Sequence, residues 1–431
     1  MTKTPFAAVR HILIAAACGG ALLLSACAGP GGGSPAPRAM HVAALAKIDD
    51  TITRDVAAGR LPGAVAVVYR DGRVVHQRVA GVLDAQTRVP MAADSIFRIY
   101  SMSKPIVSVA LMMLVEDGKV LLGAPVARYL PEFRDLQLAV EKKDAAGNPV
   151  LERIPSPRQP TVQDLMRHTA GLTYGVFGRS LVKSEYLKAG VEKGEMGNTD
   201  FARVLATLPL AYVPGTTWEY SRATDLVGAL IERVSGQPLG VYLQLRILGP
   251  LQMKDTGFSV SADKLHRVAQ PFKIDPDSKQ AVNLIDVSKP PVFESGGGGM
   301  VSTAPDYLRF CRMLLNGGEL DGARIVSPKT VQLMMRDHLG PDVIRASRVA
   351  GATTGYLPGA GYGFGLGFAV RVAEGEASTP GSLGDASWGG LGGTSFWIDP
   401  RENLIGIWMM QAPSQLEYYR QVFKNMVYGA F

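Results

Sequence analysis

Apolar positions shift in period along the chain, and the shifts mark its elements. Val42, Leu45, Ile48, Ile52 and Val56 recur every three to four residues and predict an amphipathic first helix. Two β-rich runs follow, Ala64-Val-Ala-Val-Val-Tyr69 and Arg73-Val-Val-His-Gln-Arg-Val79. Asp71-Gly72 joins them, a strong signal for a two-residue hairpin turn. An apolar stretch from Met102 to Glu116 predicts a long helix, stopped by Asp117-Gly118. The middle of the chain carries more helical patterns, proline breaks and charged loops; within it Leu226 to Val234 reads as a helix ended by Ser235-Gly236. Strand-like runs return at Gly363 to Val370, Thr394 to Ile398 and Leu404 to Met410, and a helix over roughly 414–428 closes the chain. Such a distribution predicts an α/β domain drawn from both ends, residues 41–119 and 290–431, interrupted by a mainly helical part at 120–289.

Composition narrows the function classes. A chain of 431 residues with 47% apolar and 19% charged side chains can bury a large core, and disorder is excluded over most of its length. The formal charge is +7, or +5 once Lys3 and Arg10 of the leader are set aside. Basic residues are dispersed rather than clustered, so a nucleic-acid partner is not expected. Of the three cysteines, Cys18 and Cys27 lie in the leader region; Cys311 falls on an apolar helical stripe, Tyr307 to Leu315, and reads as a small buried hydrophobe. The six histidines never approach ligand spacing, so neither a metal nor a cofactor is expected.

Lys3 and Arg10 precede an apolar run from Ile12 to Leu24, too short for about 30 Å of hydrocarbon, so residues 1–26 read as a signal peptide. Leu24-Ser25-Ala26-Cys27 resembles the bacterial lipobox. That resemblance implies that Cys27 takes a lipid and becomes the new N-terminus, with residues 27–40 as a flexible Gly/Pro/Ser tether. It implies an exported, membrane-anchored protein, and Ala28 after the cysteine implies the outer membrane, facing the periplasm.

Gly-x-Ser-x-Gly, the phosphate-loop motif and His-Glu-x-x-His are all absent. Ser-x-x-Lys occurs three times, at Ser101–Lys104, Ser180–Lys183 and Ser261–Lys264. Only Ser101 opens a long apolar helix just after the hairpin. Three-residue spacing there puts Ser101 and Lys104 on one face, at a helix start where free N–H groups gather. A serine hydroxyl needs a base to become a nucleophile, and Lys104 can serve if burial lowers its pKa.

With Tyr220-Ser221-Arg222 ahead of the helix around Leu226, this pattern resembles the serine β-lactamase and penicillin-binding-protein superfamily, class C-like, over about 41–428. The resemblance implies a β-lactamase/transpeptidase-like fold: an antiparallel sheet flanked by terminal helices, with a helical insertion. It implies Ser101, Lys104 and Tyr220 as the catalytic set. Asp164 to Leu172 and Gly296 to Tyr307 are also family-like, and His168 reads as structural. Where lactamases carry Lys-Thr-Gly, this chain has Trp388-Gly389-Gly390, and Arg222 stands where Tyr-x-Asn carries asparagine. Both departures resemble the family VIII carboxylesterases. They imply a substrate pocket formed by Trp388, Gly389, Gly390 and Arg222, an oxyanion held by the backbone N–H groups of Ser101 and Leu391, and a small or short-chain ester as substrate. A β-lactamase or D,D-peptidase is the second expectation, favoured by a cell-wall address. A non-catalytic peptidoglycan-related binding protein is the third, disfavoured by retention of all three catalytic residues.

Overall fold

A computed structural model describes residues 39–345 and 359–431 of the chain. The leader, Cys27 and most of the tether lie outside the described residues.

Seven antiparallel strands form the central sheet: β1 (Gly63–Arg70), β2 (Arg73–Gly81), β3 (Tyr362–Phe364), β4 (Ala369–Arg371), β5 (Ala386–Gly390), β6 (Thr394–Asp399) and β7 (Leu404–Met410). Their order is β3-β4-β5-β6-β7-β1-β2. The amino-terminal hairpin therefore docks beside the last strand, Ala64 pairing with Met410 and Arg70 with Leu404. Asp71 and Gly72 both take positive φ, +48° and +86°, as a tight turn between right-twisted strands requires.

Helices α1 (Ala46–Ala57) and α5 (Leu416–Tyr428) cover one face of the sheet; α2 (Ser103–Glu116), α3 (Ala223–Ser235) and α4 (Ala304–Leu315) belong to the core on the other. Strand β1 shows how sequence encodes this sandwich. Ala64, Ala66 and Val68 join a cluster with Ile48, Ile52, Trp408, Tyr419 and Phe423, while Val65, Val67 and Tyr69 join the large core that contains α2. Side chains alternate across a strand, so a strand buried on both faces reads as an unbroken apolar run. Helix α2 is buried from Ser103 to Leu114, which accounts for its lack of a polar stripe.

Sequence and structure differ in three places. The run Gly363 to Val370 is two strands, not one, because the chain reverses at Gly365 to Phe368 and Gly367 takes φ +100°. The helical part contains an unpredicted hairpin, Gln137–Lys143 with Pro149–Pro155. Its strands are largely exposed and carry no apolar alternation, so no period marks them; Asp144 caps the turn, its carboxylate accepting from Ala146 and Asn148 N–H. Ser101 precedes the long helix on a separate 3₁₀ turn, Tyr100–Met102, rather than lying within it.

Candidate active site

Residues 97–98 pair with 301–302 just ahead of the 3₁₀ turn that carries Ser101. Tyr100 sits in the left-handed region at φ +42°, an uncommon conformation for a side chain with a Cβ. Its own contacts hold it there: its hydroxyl accepts from Ile285 N–H at 3.0 Å, and its carbonyl from Ser103 Oγ at 2.6 Å. The 3₁₀ turn runs directly into α2, so residues three apart across the junction fall on one side. Ser101 and Lys104 accordingly meet, with Nζ 3.2 Å from Oγ.

Lys104 is completely buried. Its Nζ also reaches Gly297 O at 2.6 Å and Tyr174 OH at 3.2 Å. Burial pushes the amine down to about 7; the Asp225 carboxylate opposes this and the Arg222 guanidinium adds to it. A neutral amine keeps two N–H donors, enough for Gly297 O and Tyr174 OH, and presents its lone pair to Ser101. From the other side Tyr220 OH donates to Ser101 Oγ at 2.6 Å. The Lys104 amine lies 4.5 Å from the Tyr220 ring centroid, so both proton-handling groups converge on the serine.

Tyr220 is fixed by an aromatic surround. His168, Tyr174, Phe177, Trp218 and Trp388 all have ring centroids within 6.3 Å of its own. His168 is buried and its Nδ1 lies 3.1 Å from Ser221 Oγ; burial and the neighbouring Lys104 hold its pKa well below the ordinary value, so it packs as a neutral ring. Trp388 is buried between Tyr220 and Phe364.

The β5–β6 turn lies against the backbone that leads into Ser101. A Cβ on Gly390 would stand 2.1 Å from Ile99 O, so no other residue fits that close approach. Gly389 is buried beside it in β5, and Leu391 follows at the tip of the turn, 43% exposed. Arg222, expected in the substrate pocket, is held between two carboxylates beside Tyr174. Its guanidinium pairs with Glu192 and, at 3.2 Å, with Asp225, and stands 5.0 Å from the Tyr174 ring centroid.

The other two Ser-x-x-Lys segments have no such surroundings. Ser180 accepts from Lys183 N–H as a helix cap, and Lys183 pairs with Glu219 at 2.7 Å; Ser261 starts a 3₁₀ turn and Lys264 pairs with Asp255 at 2.7 Å. Cys311 is fully buried and its thiol is pushed well above its ordinary pKa by desolvation. Among the described residues no His/Cys/Asp/Glu group could hold a metal. Tyr174, Gly297, Asp225 and Glu192 were not singled out from the sequence. Position gives the one available signal: Tyr174 follows the family-like stretch ending at Leu172, Gly297 lies in a glycine run, and Asp225 is five residues past Tyr220.

The antiparallel sheet with its many helices is a β-lactamase-like α/β fold, and Ser101, Lys104 and Tyr220 meet within it. The chain belongs to the family described as Beta-lactamase, which matches residues 48–427. It is 36% identical to protein Rv1367c of Mycobacterium tuberculosis, over 82% of this chain and 86% of that one. It is 33% identical to Esterase EstB of Burkholderia gladioli, over 85% of this chain and 90% of that one. Among solved structures, EstCE1, described as a hydrolase with promiscuous acyltransferase activity, aligns with a TM-score of 0.74 at 27% identity, covering 90% of this chain and 99% of its own.

Proposed function

We propose that this protein is a serine carboxylesterase acting through an acyl-enzyme on small or short-chain esters. One observation carries the reading: Ser101 Oγ lies within hydrogen-bond reach of both Tyr220 OH and a buried Lys104 amine. Ser101 Oγ attacks the ester carbonyl while the Lys104–Tyr220 pair takes its proton. The same pair returns the proton to the leaving alkoxide, the alcohol departs, and water then releases the acid from Ser101. The oxyanion is assigned to the backbone N–H groups of Ser101 and Leu391; one such donor is worth on the order of 10²–10³ in rate. The apolar Trp388 in place of a lysine supports an ester over a substrate that needs a cation for its carboxylate, as does the 33% identity to an esterase.

We also propose export and lipidation at Cys27, with the enzyme held at the outer membrane, facing the periplasm. The support is the apolar run ending in Leu24-Ser25-Ala26-Cys27 and the tether after it. Labelled palmitate should enter the wild-type chain and not Cys27→Ala, which should leave the membrane fraction; palmitate in that variant would refute the assignment.

The enzymatic reading is tested by assaying the chain from residue 39 onward on a short-chain p-nitrophenyl ester and a chromogenic cephalosporin, with Ser101→Ala as the blank for both. Ester turnover that vanishes in the blank, with little cephalosporin turnover, is the expected result. The reverse pattern would overturn the substrate assignment and establish the lactamase.

A further inference from the structure

We propose that Asp225 and Arg222 are positioning residues for this reaction: Asp225 clamps the Gly297 peptide that receives the Lys104 amine, and Arg222 is the buried countercharge that holds Asp225. The inference rests on the role given to Lys104 in proton transfer.

Asp225 is fully buried in the first turn of α3. Its Oδ1 accepts from Gly297 N–H at 3.0 Å and from Ser295 Oγ at 2.5 Å, and its Oδ2 from the Arg222 guanidinium at 3.2 Å. The carbonyl of that same Gly297 receives the Lys104 amine. Asp225 therefore clamps the peptide that aims Lys104 at Ser101. The clamp also accounts for glycine at 297: a Cβ there would stand 2.6 Å from Asp225 Oδ2.

Arg222 carries the second charge. It bridges Asp225 and Glu192, and Glu192 is itself fixed by Gly175 N–H at 2.6 Å. The groups that face Lys104 are Ser101, Tyr174, Tyr220 and the Gly297 carbonyl, with His168 nearby. Burial keeps Tyr174 protonated and His168 uncharged, so the formal charges in this surround are those of Asp225, Arg222 and, beyond Arg222, Glu192. Asp225 favours the protonated amine and Arg222 the neutral one. Whichever partner of the Lys104–Tyr220 pair takes the serine proton, activity requires the pair to have lost one proton. Loss of the anion should therefore move the acid limb of the rate profile down in pH, and loss of the cation should move it up.

The test follows the rate of Ser101 labelling by a fluorophosphonate from pH 5 to 10, a step that reads proton removal from the serine whatever the natural ester. Asp225→Asn keeps the acceptor for Gly297 N–H and removes the charge; its limb should fall by about one pH unit, making it about tenfold faster than wild type well below the limb. Arg222→Gln should shift the limb up by a similar amount and label correspondingly more slowly there. Arg222→Lys should restore the wild-type limb. Ser295→Ala, which removes a hydrogen bond to Asp225 and no charge, should leave the limb in place. Shifts in one direction for both charge variants, or none in proteins with native near-UV circular dichroism, would overturn the proposal. So would a Ser295→Ala shift equal to that of Asp225→Asn. If Arg222→Gln does not fold, the direction of the Asp225→Asn shift decides alone. Opposite shifts without ester turnover by the wild-type chain would sink the esterase reading and leave this one standing; ester turnover with immobile limbs would do the reverse.

Discussion

An ammonium ion taken wholly out of water loses its hydration and gives up its proton more readily. Lys104 is in that position, pushed down to about 7. As the folded pKa lies below the ordinary lysine value, the pair is protonated and idle at acid pH. Ester turnover should rise through about pH 7 and level off above it, as a kcat/KM profile from pH 5 to 9 would read. Ser101→Ala should abolish turnover and fluorophosphonate labelling. Tyr220→Phe and Lys104→Ala should each lower kcat by about 10²–10⁴ with little change in Tm. Trp388→Lys would bury another amine beside an aromatic surround that already holds Lys104; it should lose esterase activity without acquiring efficient cephalosporin turnover, measured side by side. Ser101, Lys104 and Tyr220 were legible in the sequence because their spacing and neighbours carry the signal locally. Tyr174, Glu192, Gly297 and Asp225 were not: Tyr174, Gly297 and Asp225 meet Lys104 or its peptide partner across 70 to 193 residues of chain, and Glu192 meets Arg222 across 30. The two salt bridges of Arg222 were not legible either. Nothing in a sequence says that Glu192 and Asp225 wait on either side of it.

Among the elements, the β5–β6 hairpin does most to shape the site. Its glycines let the strand end lie on the peptide before the nucleophile, with Gly390 against Ile99 O. Gly390→Ala forces that contact apart and should depress kcat more than KM, with a lower Tm by calorimetry; an unchanged kcat would show that the hairpin does not set the geometry around Ser101. The long elements were readable wherever burial is one-sided, as in α1, or total over many residues, as in α2 and β1. The charged hairpin at 137–155 was not, because exposed strands held by backbone pairing leave no apolar period to read. The split between β3 and β4 escaped because a left-handed glycine in an apolar run looks like any other glycine.

At the scale of the molecule, the sheet separates two cores with different duties. The core that contains α2 adjoins the catalytic groups, whereas the cluster around Tyr419 and Phe423 lies behind the sheet. Phe423→Ala should cost about 3–5 kcal/mol in chemical denaturation and leave the acid limb of activity where it was. A moved limb would mean that the two cores are not independent. The interlocked ends of the sheet have a further consequence, for how the protein comes into being. Strand β1 is made early, yet its hydrogen-bonding neighbour β7 and covering helix α5 are made last. The ribosome must therefore release almost the whole chain before β1, paired at first with β2 alone, gains its second neighbour, and closing so distant a pairing is slow. Nascent chains arrested before residue 404 should remain open to protease while full-length chains resist it. The amino-terminal hairpin then lacks its last partners until synthesis is nearly done, a state compatible with the export proposed above.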